Sequence, residues 1–89
     1  MYYLYILKSL KDSGYYIGSC ENITIRLDRH NKGRVRSTKS RVPFELKYQE
    51  EYTTKKEARQ RENLLKKNFQ ARKELLEKID FYKAPSSNG

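Results

Sequence analysis

From Tyr2 to Leu7 no polar side chain other than the tyrosine hydroxyls interrupts the chain. Aromatic and branched residues at consecutive positions suit a strand buried on both faces, as a central strand covered by helices on either side would be. Lys8-Ser9-Leu10-Lys11-Asp12-Ser13-Gly14 then supplies turn formers, and Tyr15, Tyr16 and Ile17 resume the strand pattern until Gly18 ends it. The two segments predict a hairpin. Asn22 as N-cap and Gly33 as C′ residue enclose a short helix with Ile23 and Leu27 at i and i+4. Arg26 and His30 share that spacing and border the apolar stripe, which puts both at the edge of the core, over the sheet. After a basic loop from Gly33 to Val42, Pro43 precedes Phe44, Leu46 and Tyr48, which alternate with Glu45, Lys47 and Gln49. That period of two predicts a third strand with one buried face.

Thr54 with Glu57 matches a capping box, and Ala58, Leu65 and Phe69 form the apolar face of the helix it opens, with Glu62 projecting into the middle of that face. Asn68 is a point where this helix can break. Beyond it Ala71, Leu75, Leu76 and Ile79 keep a helical period to about Phe81, and one bent helix or two satisfy the pattern equally. A chain of 89 residues, 36% apolar with eight tyrosines and three phenylalanines, has material for one core and not for two. A single domain is expected over residues 1–82, with 83–89 as a frayed tail because Pro85-Ser86-Ser87-Asn88-Gly89 offers no apolar anchor. The run from Met1 to Leu7 is too short to span a membrane and lacks the marks of a signal peptide, so a soluble, cytoplasmic chain with no membrane contact is expected.

Charge changes the picture more than size does. The formal net charge is +9, and Arg26, Arg29, Lys32, Arg34, Arg36, Lys39 and Arg41 crowd between positions 26 and 41 against one acid, Asp28. Such a field attracts polyanions, and the interleaved Asn31, Ser37, Thr38 and Ser40 add the amide and hydroxyl donors that hold phosphates. A single cysteine, Cys20, excludes an internal disulfide, and with one histidine the chain lacks the ligands of a structural zinc site. Cys20 reads as a small half-buried residue in preference to a nucleophile.

Glu62 is the residue that composition does not explain. A carboxylate on the apolar side of a helix needs a cation, hydrogen bonds or a metal to compensate it. A salt bridge to a neighbouring Arg or Lys and the binding of a divalent ion are both open; one carboxylate with several waters is an ordinary protein share of a Mg²⁺ site. Tyr3 and Tyr5 share a face of the first strand and Tyr15 and Tyr16 sit on its neighbour, which brings such side chains within reach of one another.

Taken in order, these segments resemble the GIY-YIG nuclease family, in particular its small stand-alone members, which are related to the N-terminal nuclease domain of a repair excinuclease. The YIG half is Tyr16-Ile17-Gly18, and the GIY half is Tyr3-Leu4-Tyr5, with Leu4 in place of isoleucine and Tyr3 in place of glycine. Asn22 to Asn31 is similar to the family's helix with an arginine and, four residues later, a histidine; Ser37 to Pro43 is similar to its basic loop; Glu57 to Lys66 is similar to its metal-binding helix. The resemblance covers about Tyr2 to Asn68. It implies an α/β fold of the α+β kind, a small three-stranded antiparallel sheet flanked by helices with the active site on one face of the sheet, in agreement with the periodicity.

The resemblance further implies metal-dependent endonucleolytic hydrolysis of DNA phosphodiester bonds, in repair, recombination or degradation. Tyr5, Tyr16, Arg26, His30 and Glu62 would be catalytic and Gly18 the motif glycine. Glu62 would hold one Mg²⁺ or Mn²⁺, weakly bound without DNA. Arg29, Lys32, Arg34, Arg36, Thr38, Lys39 and Arg41 would contact nucleic acid. DNA is the partner the family implies, while the residues alone leave RNA open, and without a second recognition module low sequence specificity, or specificity lent by a protein partner, is expected. The alternative is a nucleic-acid-binding module of the same fold with little or no turnover. A protein-recruiting adaptor, the third reading, would use Leu75, Leu76 and Ile79 on the last helix.

Overall fold

The structure, a computed structural model, describes residues 1–86, with side chains as far as Ile79. Its elements run β1 (Tyr2–Ser9), β2 (Tyr15–Cys20), α1 (Ile23–Asn31), a single 3-10 turn (Lys39–Arg41), β3 (Phe44–Tyr52), α2 (Lys55–Lys67) and α3 (Phe69–Ser86). The strands form one antiparallel sheet in the order β2-β1-β3. The uninterrupted apolar strand is therefore the central one. Leu4 and Ile6 point to one side, where with Ile17, Leu65 and Ile79 they make a core under α2 and α3. Tyr5 and Leu7 point to the other, where with Phe44 they make a second core under α1. Alternation along β1 thus feeds two separate apolar layers.

Caps fix the helices where the sequence places them. The Asn22 side chain accepts from Ile25 N–H at 3.0 Å, and Gly33, at φ +72°, closes α1 beyond Lys32. At α2, Thr54 Oγ1 accepts from Glu57 N–H and Glu57 Oε1 accepts from Thr54 N–H, each at 3.2 Å. This exposed reciprocal pair satisfies two backbone donors, so Thr54→Ala is expected to cost about 1 kcal/mol, a fall of roughly 4–8 °C in Tm readable by thermal denaturation.

Three expectations change. Tyr48 does not share a face with Phe44 and Leu46: the register steps from Ile6↔Tyr48 to Leu7↔Leu46, so Lys47 is an extra residue in β3. The resulting bulge turns Phe44 and Leu46 toward α1 and Tyr48 and Tyr52 toward α2 and α3. Phe69 does not belong to the apolar face of α2. Asn68, at φ −104° and ψ 102°, ends α2 and accepts from Ala71 N–H at 3.0 Å to start α3, so the two helices are separate and Phe69 opens the second, 65% exposed. The last helix also runs on to Ser86 instead of stopping near Phe81, so the tail expected from residue 83 begins inside it; residues 87–89 lie outside the described residues.

Leu75, Leu76 and Ile79, the surface an adaptor would use, pack against Leu4, Ile6 and Leu65. That face is spent on the chain's own core. Among the described residues no helix is long and apolar enough to cross a membrane.

Candidate active site

Edge strand β2 is where the candidate residues meet. Tyr5 stands opposite Gly18 in the β1–β2 register, and its side chain crosses that position: a Cβ on Gly18 would lie 2.6 Å from the Tyr5 hydroxyl and 3.2 Å from a ring carbon of Tyr16. Only a residue without a side chain admits both rings. The Tyr5 hydroxyl lies 3.2 Å from His30 Nε2, and the His30 ring meets Tyr16 edge-on at 5.0 Å between centroids. Tyr3, which replaces the motif glycine, sends its hydroxyl toward Glu51 of β3, 3.4 Å away, and leaves Tyr5 free.

His30 is fully buried, not at the core edge as the helical spacing predicts. The loop after α1 folds back over it, and Thr38 Oγ1 lies 2.8 Å from Nδ1. Burial, then the nearby Arg26 guanidinium, holds the imidazole below its ordinary pKa of 6.5, so the ring is neutral at pH 7. In the unfolded chain the same ring takes a proton at its ordinary value. Its contribution to stability is therefore complete above about pH 6.5 and is lost as the pH falls toward the lower folded value. With one histidine in the chain, urea denaturation at about pH 8 and about pH 5.5 isolates the effect: the native chain should weaken across this interval and His30→Gln should lose that slope.

Burial, with the Tyr16 hydroxyl as second cause, raises the Tyr5 phenol well above 10, and Arg26 acts in the opposite sense. Tyr5 is a phenol in the free protein. Arg26 also lines a cleft of about 280 Å³ with Ser19 and Cys20 at the end of β2 and Lys55 and Ala58 of α2. Cys20 sits in this cleft as a thiol that burial raises above its ordinary pKa, with Arg26 acting in the opposite sense.

Glu62 approaches from the other face. Ser19 pairs with Leu4 and so points toward α2, where its hydroxyl donates to Glu62 Oε1 at 2.6 Å. Glu62 Oε2 accepts from Lys66 at 2.6 Å, and the same ammonium lies 5.7 Å from the centre of the Tyr16 ring. The salt bridge left open by the sequence is thus made, four residues along the helix. The site is not confined to one sheet face: Tyr5, Tyr16 and His30 lie on the α1 side and Glu62 on the α2 side, and Lys66 connects them around β2.

This carboxylate fits a divalent ion of the hydrated kind. It already holds a cation, its side chain is 19% exposed while that of Lys66 is 45% exposed and able to swing away, and phosphate oxygens and water would supply the other ligands of Mg²⁺. Among the described residues no group of three or more His, Cys, Asp and Glu converges, so an all-protein cage is not what these residues build.

The basic segment divides. Arg29, Arg34, Arg36 and Lys39 are exposed; Lys32 is exposed but paired with Asp28 at 3.0 Å. Arg41 is committed, its Nε 2.7 Å from Asp12 Oδ2 and its guanidinium 5.5 Å from the Phe44 ring centre, so it clamps the loop to the β1–β2 turn. Thr38 is buried completely and cannot meet a phosphate from there; its partner is His30. Asn31 is likewise spent, donating to Phe44 C=O at 3.1 Å and accepting from Phe44 N–H at 2.6 Å, which ties α1 to β3. The sequence does not reveal one further cluster, in which Glu50 accepts from Tyr48 and Tyr52, each at 2.5 Å, and from Arg61 at 2.9 and 3.0 Å. The bulge at Lys47 creates it by turning Tyr48, Glu50 and Tyr52 toward α2, and Arg61 then anchors the helix one residue before Glu62.

The profile of the GIY-YIG catalytic domain matches residues 1–75. A UPF0213 protein of Staphylococcus epidermidis is 42% identical over 66 residues, which span 73% of this chain and 79% of the relative. A UPF0213 protein of Bacillus licheniformis is 40% identical over 74 residues, 82% of this chain and 75% of the relative. The solution NMR structure of a UPF0213 protein from Bacillus halodurans superposes with a TM-score of 0.53 at 31% identity, covering 89% of this chain and 85% of that one. Matched along most of its length by a catalytic-domain profile, and sharing fold and sequence with these small proteins, the chain belongs to the GIY-YIG family of nucleases.

Proposed function

We propose that the protein is a metal-dependent endonuclease that hydrolyses DNA phosphodiester bonds with low sequence specificity. The observation that carries this reading is the grouping around β2 of a phenol hydrogen-bonded to a neutral imidazole, a guanidinium beside that phenol, and a carboxylate that holds a cation. These are the parts a phosphodiester hydrolase needs: a proton acceptor for water, a donor for phosphate oxygens and a cation site.

Tyr5 positions the attacking water. As its oxygen takes the water proton, its own proton passes to His30 Nε2, so no free phenolate forms in a site that disfavours one. The hydroxide adds to phosphorus, and the 3′ oxygen departs. Arg26 donates to the non-bridging oxygens, which gain charge in the pentacovalent state. Glu62 would hold a divalent ion, Mg²⁺ or Mn²⁺, which would free Lys66 for a phosphate. The chemistry such an ion would supply is polarisation of the scissile phosphate and neutralisation of charge on the leaving oxygen.

Arg29, Arg34, Arg36 and Lys39 supply exposed cations for the flanking phosphates. Such contacts favour DNA of any sequence and weaken with salt. A branched or damaged substrate, or a protein partner, would add the selectivity that these contacts lack; repair or recombination is the setting in which such a chain fits.

The reading is tested by incubating purified protein with supercoiled plasmid in Mg²⁺ at low salt. Nicked circles that disappear with EDTA are expected. Binding with no product in Mg²⁺ or Mn²⁺ would leave a DNA-binding module in place of the enzyme.

A further inference from the structure

Both ring nitrogens of the buried His30 are engaged, Nε2 with the Tyr5 hydroxyl at 3.2 Å and Nδ1 with Thr38 Oγ1 at 2.8 Å. A neutral imidazole offers one N–H and one lone pair, so it gives a proton to one neighbour and accepts from the other. Two neighbours outside the ring decide the direction. The Thr38 hydroxyl donates to the Val35 carbonyl at 3.4 Å, which leaves its oxygen free to accept from Nδ1–H. The Arg26 cation near Tyr5 favours the phenol with its oxygen turned toward the positive charge and its proton turned away, toward His30. One tautomer satisfies both. The opposite one would turn the Tyr5 proton toward the Arg26 cation and would require Thr38 to abandon Val35.

The surroundings favour no third arrangement. Tyr16 of β2 and Phe44 of β3 face the imidazole with ring edges, at 5.0 and 5.9 Å between centroids. Neither competes for a ring nitrogen.

We infer that Thr38 is a positioning residue: from inside the basic loop it fixes His30 as the Nδ1–H tautomer and thereby keeps Nε2 as the acceptor of the Tyr5 proton. Its loop neighbours meet solvent while Thr38 meets the site, so the segment that carries the cations also sets the imidazole. The catalytic consequence rests on the nuclease reading. The tautomer itself is a property of the free chain and does not.

Long-range ¹H–¹⁵N correlation on the ¹⁵N-labelled full chain near neutral pH reads the tautomer directly, because one histidine gives one pattern. The native chain is expected to show a pyrrole-like Nδ1 and a pyridine-like Nε2, Thr38→Ser to keep that pattern, and Thr38→Val to move toward the Nε2–H form. In the plasmid assay Thr38→Val should cleave about 10–100-fold more slowly and Thr38→Ser within about threefold of native, with DNA affinity little changed in either. A native chain in the Nε2–H form, or a folded Thr38→Val with the native pattern, would overturn the inference. If the native chain cleaves nothing, the spectrum still decides the tautomer while the nuclease reading fails on its own account.

Discussion

Glu62→Gln is expected to abolish Mg²⁺-dependent cleavage, by at least about a thousandfold, while DNA affinity stays the same or rises. An ion that neutralises a phosphate in the transition state is worth several kcal/mol of barrier, and each 1.36 kcal/mol is about tenfold in rate. The amide keeps the size of the side chain and an oxygen for Ser19, but it loses the charge that recruits a cation. Folding should change little. The Glu62–Lys66 pair is an i,i+4 contact with a 45% exposed partner, worth about 0.3–0.5 kcal/mol. Urea denaturation beside the plasmid assay separates the two effects. Cleavage by folded Glu62→Gln at the native rate would place the metal elsewhere.

Gly18→Ala is expected to be nearly as damaging through geometry alone. The added methyl would meet the Tyr5 hydroxyl at 2.6 Å and Cζ at 2.7 Å, and Tyr5 is buried and has little room to retreat. Either the phenol leaves His30 Nε2 or the strands separate locally. Overpacking of this kind costs about 1–3 kcal/mol of stability, and a shift of about 1 Å at a reacting group costs about a hundredfold in rate. Chemical denaturation and the plasmid assay on the same preparation check both numbers, while salt-dependent DNA binding, carried by loop cations remote from Gly18, should persist.

What the sequence makes legible follows from local chemistry. The unbroken run Tyr2 to Leu7 marks a strand buried on two sides because nothing else buries consecutive positions of a strand. The Asn22, Thr54 and Gly33 caps are equally plain, since they act within three or four residues. Long-range geometry is where the pattern misleads. Phe44, Leu46 and Tyr48 keep a perfect period of two, yet the bulge at Lys47 splits them between the faces, and nothing local announces an extra residue in one strand of a pair. Phe69 keeps the period of α2 but follows the break at Asn68, which resets the phase.

The site shows the same division. Tyr5, Tyr16, Arg26, His30 and Glu62 are singled out as a set only by the family resemblance, and the structure places all five around β2. Thr38 reads as a phosphate donor because its neighbours are Ser37, Lys39 and Ser40; its burial depends on the loop turning back across α1, which composition does not encode. The Glu50–Arg61 cluster escapes notice for a related reason. Its members alternate with exposed residues, and only the bulge turns them to the face under α2, where Arg61 reaches them.

The central claim is that DNA is hydrolysed by this site, and Tyr5→Phe tests it most directly. The change removes one oxygen from a ring that otherwise fills the same space. An end-labelled duplex is incubated in Mg²⁺ with native protein and with Tyr5→Phe at equal fractions of DNA bound, and product is followed with time. The expected result is 5′-phosphorylated product from the native chain and a rate lower by about a hundredfold or more from Tyr5→Phe. Equal rates from the two proteins, or no product from the native chain in either Mg²⁺ or Mn²⁺, would contradict it.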